Sequence, residues 1–99
     1  MSMRKIDLDD PTVASVTILG DVVDSTDDNV DLLAHLRVGR VLGFTAFTLR
    51  NIERLMSSDH LAWFVSPGML VVDRLTDDVI LGAVRDAVAL GLGVVQRED

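Results

Sequence analysis

The sequence predicts a small single-domain α/β fold. It consists of a mixed sheet with helices packed on it, in the order β-α-β-α-β-β-α with room for a short last strand. Three observations carry this expectation. The chain has 99 residues, 48% of them hydrophobic, enough for one core and too few for two. Segments whose apolar residues alternate take turns with segments whose apolar residues recur every three or four positions. Glycine, proline and Asp/Ser/Thr clusters mark the joints between them.

The first eleven residues are polar and end at Pro11, which predicts an N-terminal arm ahead of one domain over 12–96. Thr12–Val23 is rich in small and β-branched residues, with Ala14, Val16, Ile18, Gly20 and Val22 in phase, as in a strand. The period then changes, and Val30, Leu33 and Leu36 share one helical face with Leu32 beside it. Ser25 or Thr26 supplies an N-cap for that helix, Asp27 and Asp28 sit at its positive end, and Gly39 closes it.

Arg40–Thr48 is apolar on both sides, with Leu42, Phe44 and Ala46 on one and Val41, Thr45 and Phe47 on the other, as in a strand covered on two faces. A single long helix from Val30 to Ser57 competes with this reading, but Gly39, Gly43 and the β-branched residues between Gly39 and Thr48 weigh against it. Thr48 caps a short helix over 49–59 that buries Leu49, Ile52, Leu55 and Met56. Two apolar runs flank Pro67-Gly68, a pair with the φ angles of a type II turn, and read as two strands of a hairpin with a slightly widened loop. Thr76 starts the last helix, with Asp77 and Asp78 in its first turn and Ile80, Ala83, Val84, Ala87 and Val88 as its buried face. Gly91 or Gly93 ends it, and Val94-Val95-Gln96 adds the final strand.

Composition narrows the chemistry. With no cysteine, disulfides, thiolate–zinc sites, iron–sulfur clusters and cysteine nucleophiles are excluded. The net charge of -7 repels phosphate backbones, and no basic stripe with interleaved aromatics offsets it, so direct nucleic-acid binding is not expected. No apolar run reaches membrane-spanning length and the N-terminus lacks a long apolar stretch, so no membrane contact and a cytoplasmic location are expected. No glycine array forms a phosphate cradle and no serine occupies a nucleophile elbow, so no cofactor and no catalytic residue are assigned.

Five aspartates crowd into Asp21–Asp31. Asp27, Asp28 and Asp31 spell DDxxD, which resembles the aspartate-rich motif of isoprenoid synthases; that resemblance implies Mg²⁺-bound diphosphate. The family is all-helical and needs a second acidic motif that this chain lacks. Val16–Thr26 is similar to the first-strand motif of class III nucleotide cyclases, which implies a metal on Asp21. Asp24 stands where that family has glycine, and no second Gly-Asp turn follows. The local alternative is that Asp21 and Asp24 end a strand and Asp27 and Asp28 open a helix. Asp21, Asp24, Asp27 and Asp28 are the candidate metal ligands.

Trp63, the only tryptophan, adjoins Phe64, and alternation sends adjacent rings to opposite sides, leaving one less covered at a sheet edge. Trp63, Phe64, Met69 and Val71 are therefore the interface candidates. The expected function is a small acidic, non-catalytic interaction or regulatory domain acting through a protein partner or homo-oligomerisation. One alternative is a Mg²⁺-dependent enzyme on a phosphorylated substrate, using Asp21 and Asp24. Another is an acidic decoy of a nucleic-acid-binding protein, which requires a continuous negative face.

Overall fold

The computed structural model describes residues 2–97. Six strands and two helices build it: β1 (Met3–Asp7), β2 (Val13–Leu19), β3 (Asn29–Leu36), β4 (Val41–Thr48), α1 (Leu49–Ser58), β5 (Met69–Val72), α2 (Asp77–Ala89) and β6 (Val94–Val95). The small mixed α/β fold is the one expected, with both helices packed against the sheet. Three elements differ from the expectation in kind.

The strands run in the order β1-β2-β3-β4-β5. The first three junctions are antiparallel, and only β4–β5, joined through α1, is parallel. The short β6 pairs antiparallel with Leu42 and Gly43, so the second edge of β4 is shared between β5 at one end and β6 at the other.

Register places Ile6, Val16, Ala34 and Leu42 in one row, Ile18, Leu32 and Phe44 in the next, and Val30, Ala46 and Leu70 beyond it. These side chains make the core face, on which Ile80, Val84 and Ala87 of α2 are buried. Full burial of an aliphatic side chain contributes about 1.5–3 kcal/mol, so this single layer supplies most of the driving force for folding. A Schellman cap ends α2: Gly91, at φ 75°, donates to Val88 O, and Leu92 donates to Ala87 O.

The first correction concerns residues 25–39, which form no helix. Val30, Leu32, Ala34 and Leu36 alternate with Asp31, Leu33 and His35, and β3 is paired on both sides, with β2 and β4. Val30, Leu33 and Leu36 fit a helix in sequence but fall on different sheet faces, because two ladders of backbone bonds outweigh the helix propensity of Leu and Ala. Gly39, at φ 94°, turns the β3–β4 hairpin, in which Leu36 N–H donates to Arg40 O.

The second concerns the expected arm. Met3–Asp7 is the edge strand β1, with Ile6 opposite Val16, held also by a two-pronged Arg4–Asp77 ion pair at 2.8 and 2.9 Å. Its polar composition is that of an edge strand with little of its surface buried.

The third concerns residues 61–66, which form no strand. Pro67-Gly68 does not turn a hairpin; it leads into β5, which pairs parallel to β4. Gly68, at φ 62°, lies so close to β4 that a Cβ there would sit 2.5 Å from Gly43 O.

A candidate interaction surface

Helix α1 starts where expected. Thr48, fully buried, accepts the Asn51 N–H at 3.1 Å and the Asp28 N–H at 3.2 Å on one hydroxyl. That hydroxyl and the Thr48 N–H both bond Asp28 O. Asn51, also buried, accepts from Asn29 at 2.9 Å, so the helix is moored to the 27–29 segment by polar contacts. Its apolar residues are less covered than expected: Ile52, Leu55 and Met56 are half-buried and Leu49 is exposed.

The helix ends in a second Schellman cap, with His60 N–H donating to Ser57 O and Leu61 N–H to Met56 O. Here the left-handed residue is His60, at φ 55°, where glycine is the usual occupant. The chain then bends at Ala62 and runs without regular secondary structure to the turn at Pro67-Gly68. Exposure alternates along 63–67: Trp63 is 75% exposed, Phe64 half-buried, Val65 81% exposed, Ser66 half-buried and Pro67 exposed. Phe64 explains the phase, because its ring meets Phe47 edge-on at 5.0 Å between centroids and 77° between planes.

Phe47 pairs in register with Val71, and both point away from the core face. Val71 is 50% exposed, whereas Met69 is half-buried. Trp63 and Val65 are thus exposed on the segment that leads into β5, and Val71 is exposed on β5 itself, the edge of the sheet. Of the four candidates, Trp63 and Val71 are surface residues, Phe64 is the anchor that holds the segment down, and Met69 lies between. Val65 and Leu61 (43% exposed) were missed by sequence reasoning. Their signal is the spacing of Leu61, Trp63 and Val65 at every second position.

The aspartates of 21–31 spread apart. Asp21 accepts from Ser2 at 2.6 Å. Asp24 forms a local turn, accepting the Thr26 N–H and hydroxyl on one oxygen, and these bonds, the backbone one foremost, hold its carboxyl below the usual carboxylate range. Asp27 pairs with Arg54 at 3.0 Å. Asp28 accepts the N–H groups of Val23 and Asn29. Asp31 points to the open face, accepting from Thr45 at 2.8 Å. Among the described residues, no group of three or more carboxylates or imidazoles is placed to share a metal ion.

The face opposite α2 holds an open groove of about 300 Å³, near the lower limit for small-molecule sites. Asp31, Leu33, Gly43, Thr45, Val94 and Gln96 are among its lining residues. On the same face His35 Nε2 and Thr17 Oγ1 are 2.9 Å apart. No described carboxylate bonds the other ring nitrogen of His35, so the orienting member of a nucleophile–base–acid set is not assembled there.

Strand direction sorts the charges. The 20–28 connection, the start of α1 and the 73–78 segment share one end of the sheet, which collects seven aspartates against Arg4, Arg50, Arg54 and Arg74. Among the described residues, the opposite end collects Arg37, Arg40, Arg85 and Arg97 against Asp7, Asp9, Asp10 and Asp86. The negative charge is thus concentrated at one end. Arg4–Asp77, Arg54–Asp27 and Arg74–Asp73 offset part of it.

Comparison with protein-family models, with curated protein sequences and with solved structures returned no match for this chain.

Proposed function

We propose that this chain is a small non-catalytic interaction domain that works by burying the Trp63 segment against another protein surface. One observation carries the reading. The only tryptophan is three-quarters exposed, while Phe44 and Phe47 are buried and Phe64 is half-buried. Leaving an indole, Val65 and Val71 in water forfeits burial worth several kcal/mol in sum. Surface tryptophans of this kind concentrate binding energy at interfaces.

The Mg²⁺ reading draws no support from the separated carboxylates. The decoy reading draws some from the acidic end, but ion pairs interrupt that surface.

Trp63→Asp is the test, read by light scattering and by the quenching of Trp63 fluorescence in the unsubstituted protein. The domain is expected to associate as its concentration rises or on addition of a partner, with the indole becoming shielded from acrylamide, and the Asp variant is expected to lose that association while keeping its far-UV spectrum. An indole that stays fully quenchable, together with an Asp variant unchanged in oligomeric state and partner binding, would sink the reading.

A further inference from the structure

Both edges of the sheet are strands, and they are protected to different degrees. On β1, the charged residues Arg4, Lys5 and Asp7 discourage a further strand. On β5 the sequence is Met69-Leu70-Val71-Val72, without charge or proline. In the parallel pair, Thr45 N–H donates to Gly68 O, and the alternation of parallel bonding then turns Gly68, Leu70 and Val72 toward β4. The N–H and C=O groups of Met69 and Val71 point outward. Among the described residues, no loop or helix backbone bonds them.

We infer that the β5 edge is completed by β5 of a second copy of this chain, antiparallel about a two-fold axis, so that two six-stranded sheets become one. The inference rests on the proposed interaction role and names its partner. Three features favour a second copy. First, the strand is uncharged along its length, so self-pairing sets no like charges directly opposite each other. Second, antiparallel pairing lays the acidic end of one copy beside the end of the other where arginines and aspartates balance. Neighbouring ends are then less repulsive than in a parallel arrangement. Asp73, at the strand end, is already matched by Arg74 at 2.9 Å.

Third, the two-fold axis doubles the area. The Trp63 side chain alone offers on the order of 150 Å². Leu61, Val65 and Val71 are all at least 43% exposed, so the apolar surface available on β5 and the segment leading into it, doubled and taken with the strand edge, is on the order of 1,000 Å², the least that a specific interface requires.

The experiment is light scattering on the full chain from roughly 10 to 500 µM, a range set around dissociation constants typical of small interfaces. The unsubstituted protein is compared with Val71→Lys, Val71→Pro and Trp63→Asp. Val71 has a half-exposed side chain and an outward N–H, so Lys leaves the β4–β5 bonds in place, and Pro removes only an N–H that faces the second copy. Thermal melting confirms that each variant folds. The expected result is a dimer whose dissociation constant rises at least tenfold in both Val71 variants. An equal mixture of two isotopically labelled batches is expected to give cross-strand NOEs between the Val71 backbones of different copies.

A monomer at every concentration would overturn the inference while leaving the Trp63 segment open to a different partner. A dimer dissociated by Trp63→Asp but indifferent to both folded Val71 variants would overturn strand pairing and keep the interaction reading. A dimer indifferent to all three variants would overturn both.

Discussion

Replacing Thr48 with Val keeps the shape of the side chain and removes one hydroxyl, which makes it a clean probe of how α1 is attached. That oxygen accepts the N–H groups of Asn51 and Asp28 and bonds Asp28 O in return, at a residue with no solvent exposure. Loss of the N-cap bond costs about 1 kcal/mol. Loss of the second acceptor adds about 1–2 kcal/mol, because water cannot readily replace it. The total is about 2–3 kcal/mol, which for a domain of this size lowers Tm by roughly 10–20 °C. Urea titration followed by far-UV circular dichroism reads the loss as a lower midpoint at unchanged slope. Thr48→Ser, which retains the oxygen, is expected to recover at least half of it. A loss below about 1 kcal/mol in Thr48→Val, or a Ser variant no better than Val, would refute the assignment of Thr48 as the joint between α1 and the 27–29 segment.

Four further expectations follow from the geometry. His60→Gly relieves a left-handed histidine and is expected to stabilise the domain by roughly 0.5–1 kcal/mol, seen as a higher urea midpoint. Gly68→Ala is expected to cost at least about 2 kcal/mol, because its φ of 62° is joined by a 2.5 Å approach to Gly43 O; an unchanged melting curve would contradict that crowding. Asp10, Asp24, Asp77 and Asp78 are all held below the usual carboxylate range, by backbone N–H bonds at Asp10 and Asp24, Arg4 at Asp77 and the Thr76 hydroxyl at Asp78. The unfolded chain therefore binds more protons in acid, and stability should be level above about pH 5 and fall below about pH 4, with Asp10→Asn flattening the fall. Mn²⁺ titration is expected to broaden amide signals weakly over every acidic patch; sharp, saturable broadening confined to Val22–Asp31 would revive the metal site.

Much of the architecture was legible because local signals agreed with their surroundings. Leu42, Phe44 and Ala46 alternate with Val41, Thr45 and Phe47, and the strand they form is central. Thr48 and Thr76 precede helices, and Thr48 alone makes the side-chain cap bond. Residues 29–36 misled for a physical reason: Leu, Ala and His tolerate either state, and Val30, Leu33 and Leu36 happen to satisfy a helical spacing. What decides is the pair of neighbouring strands, whose partner residues lie 6 to 23 positions away along the chain. Phe64 misled in a related way, since one edge-on contact with Phe47 holds the 63–67 segment without a ladder. At the candidate surface, the sequence showed that one of Trp63 and Phe64 is less covered, whereas which one, and the exposure of Val65, depends on which way Phe64 turns.

Strand β4 also constrains the order of assembly. Residues 3–48 can form a four-stranded meander from short-range hairpins as soon as they leave the ribosome, and such local contacts form quickly. Strand β4, interior in the finished sheet, is then an outer one, with Leu42, Phe44 and Ala46 uncovered, until residues 69–95 arrive with β5, α2 and β6. During synthesis that interval lasts on the order of a few seconds. The nascent chain is therefore most vulnerable to misassembly between the synthesis of β4 and that of β5, α2 and β6, and a slow codon stretch between 49 and 68 would lengthen the exposure.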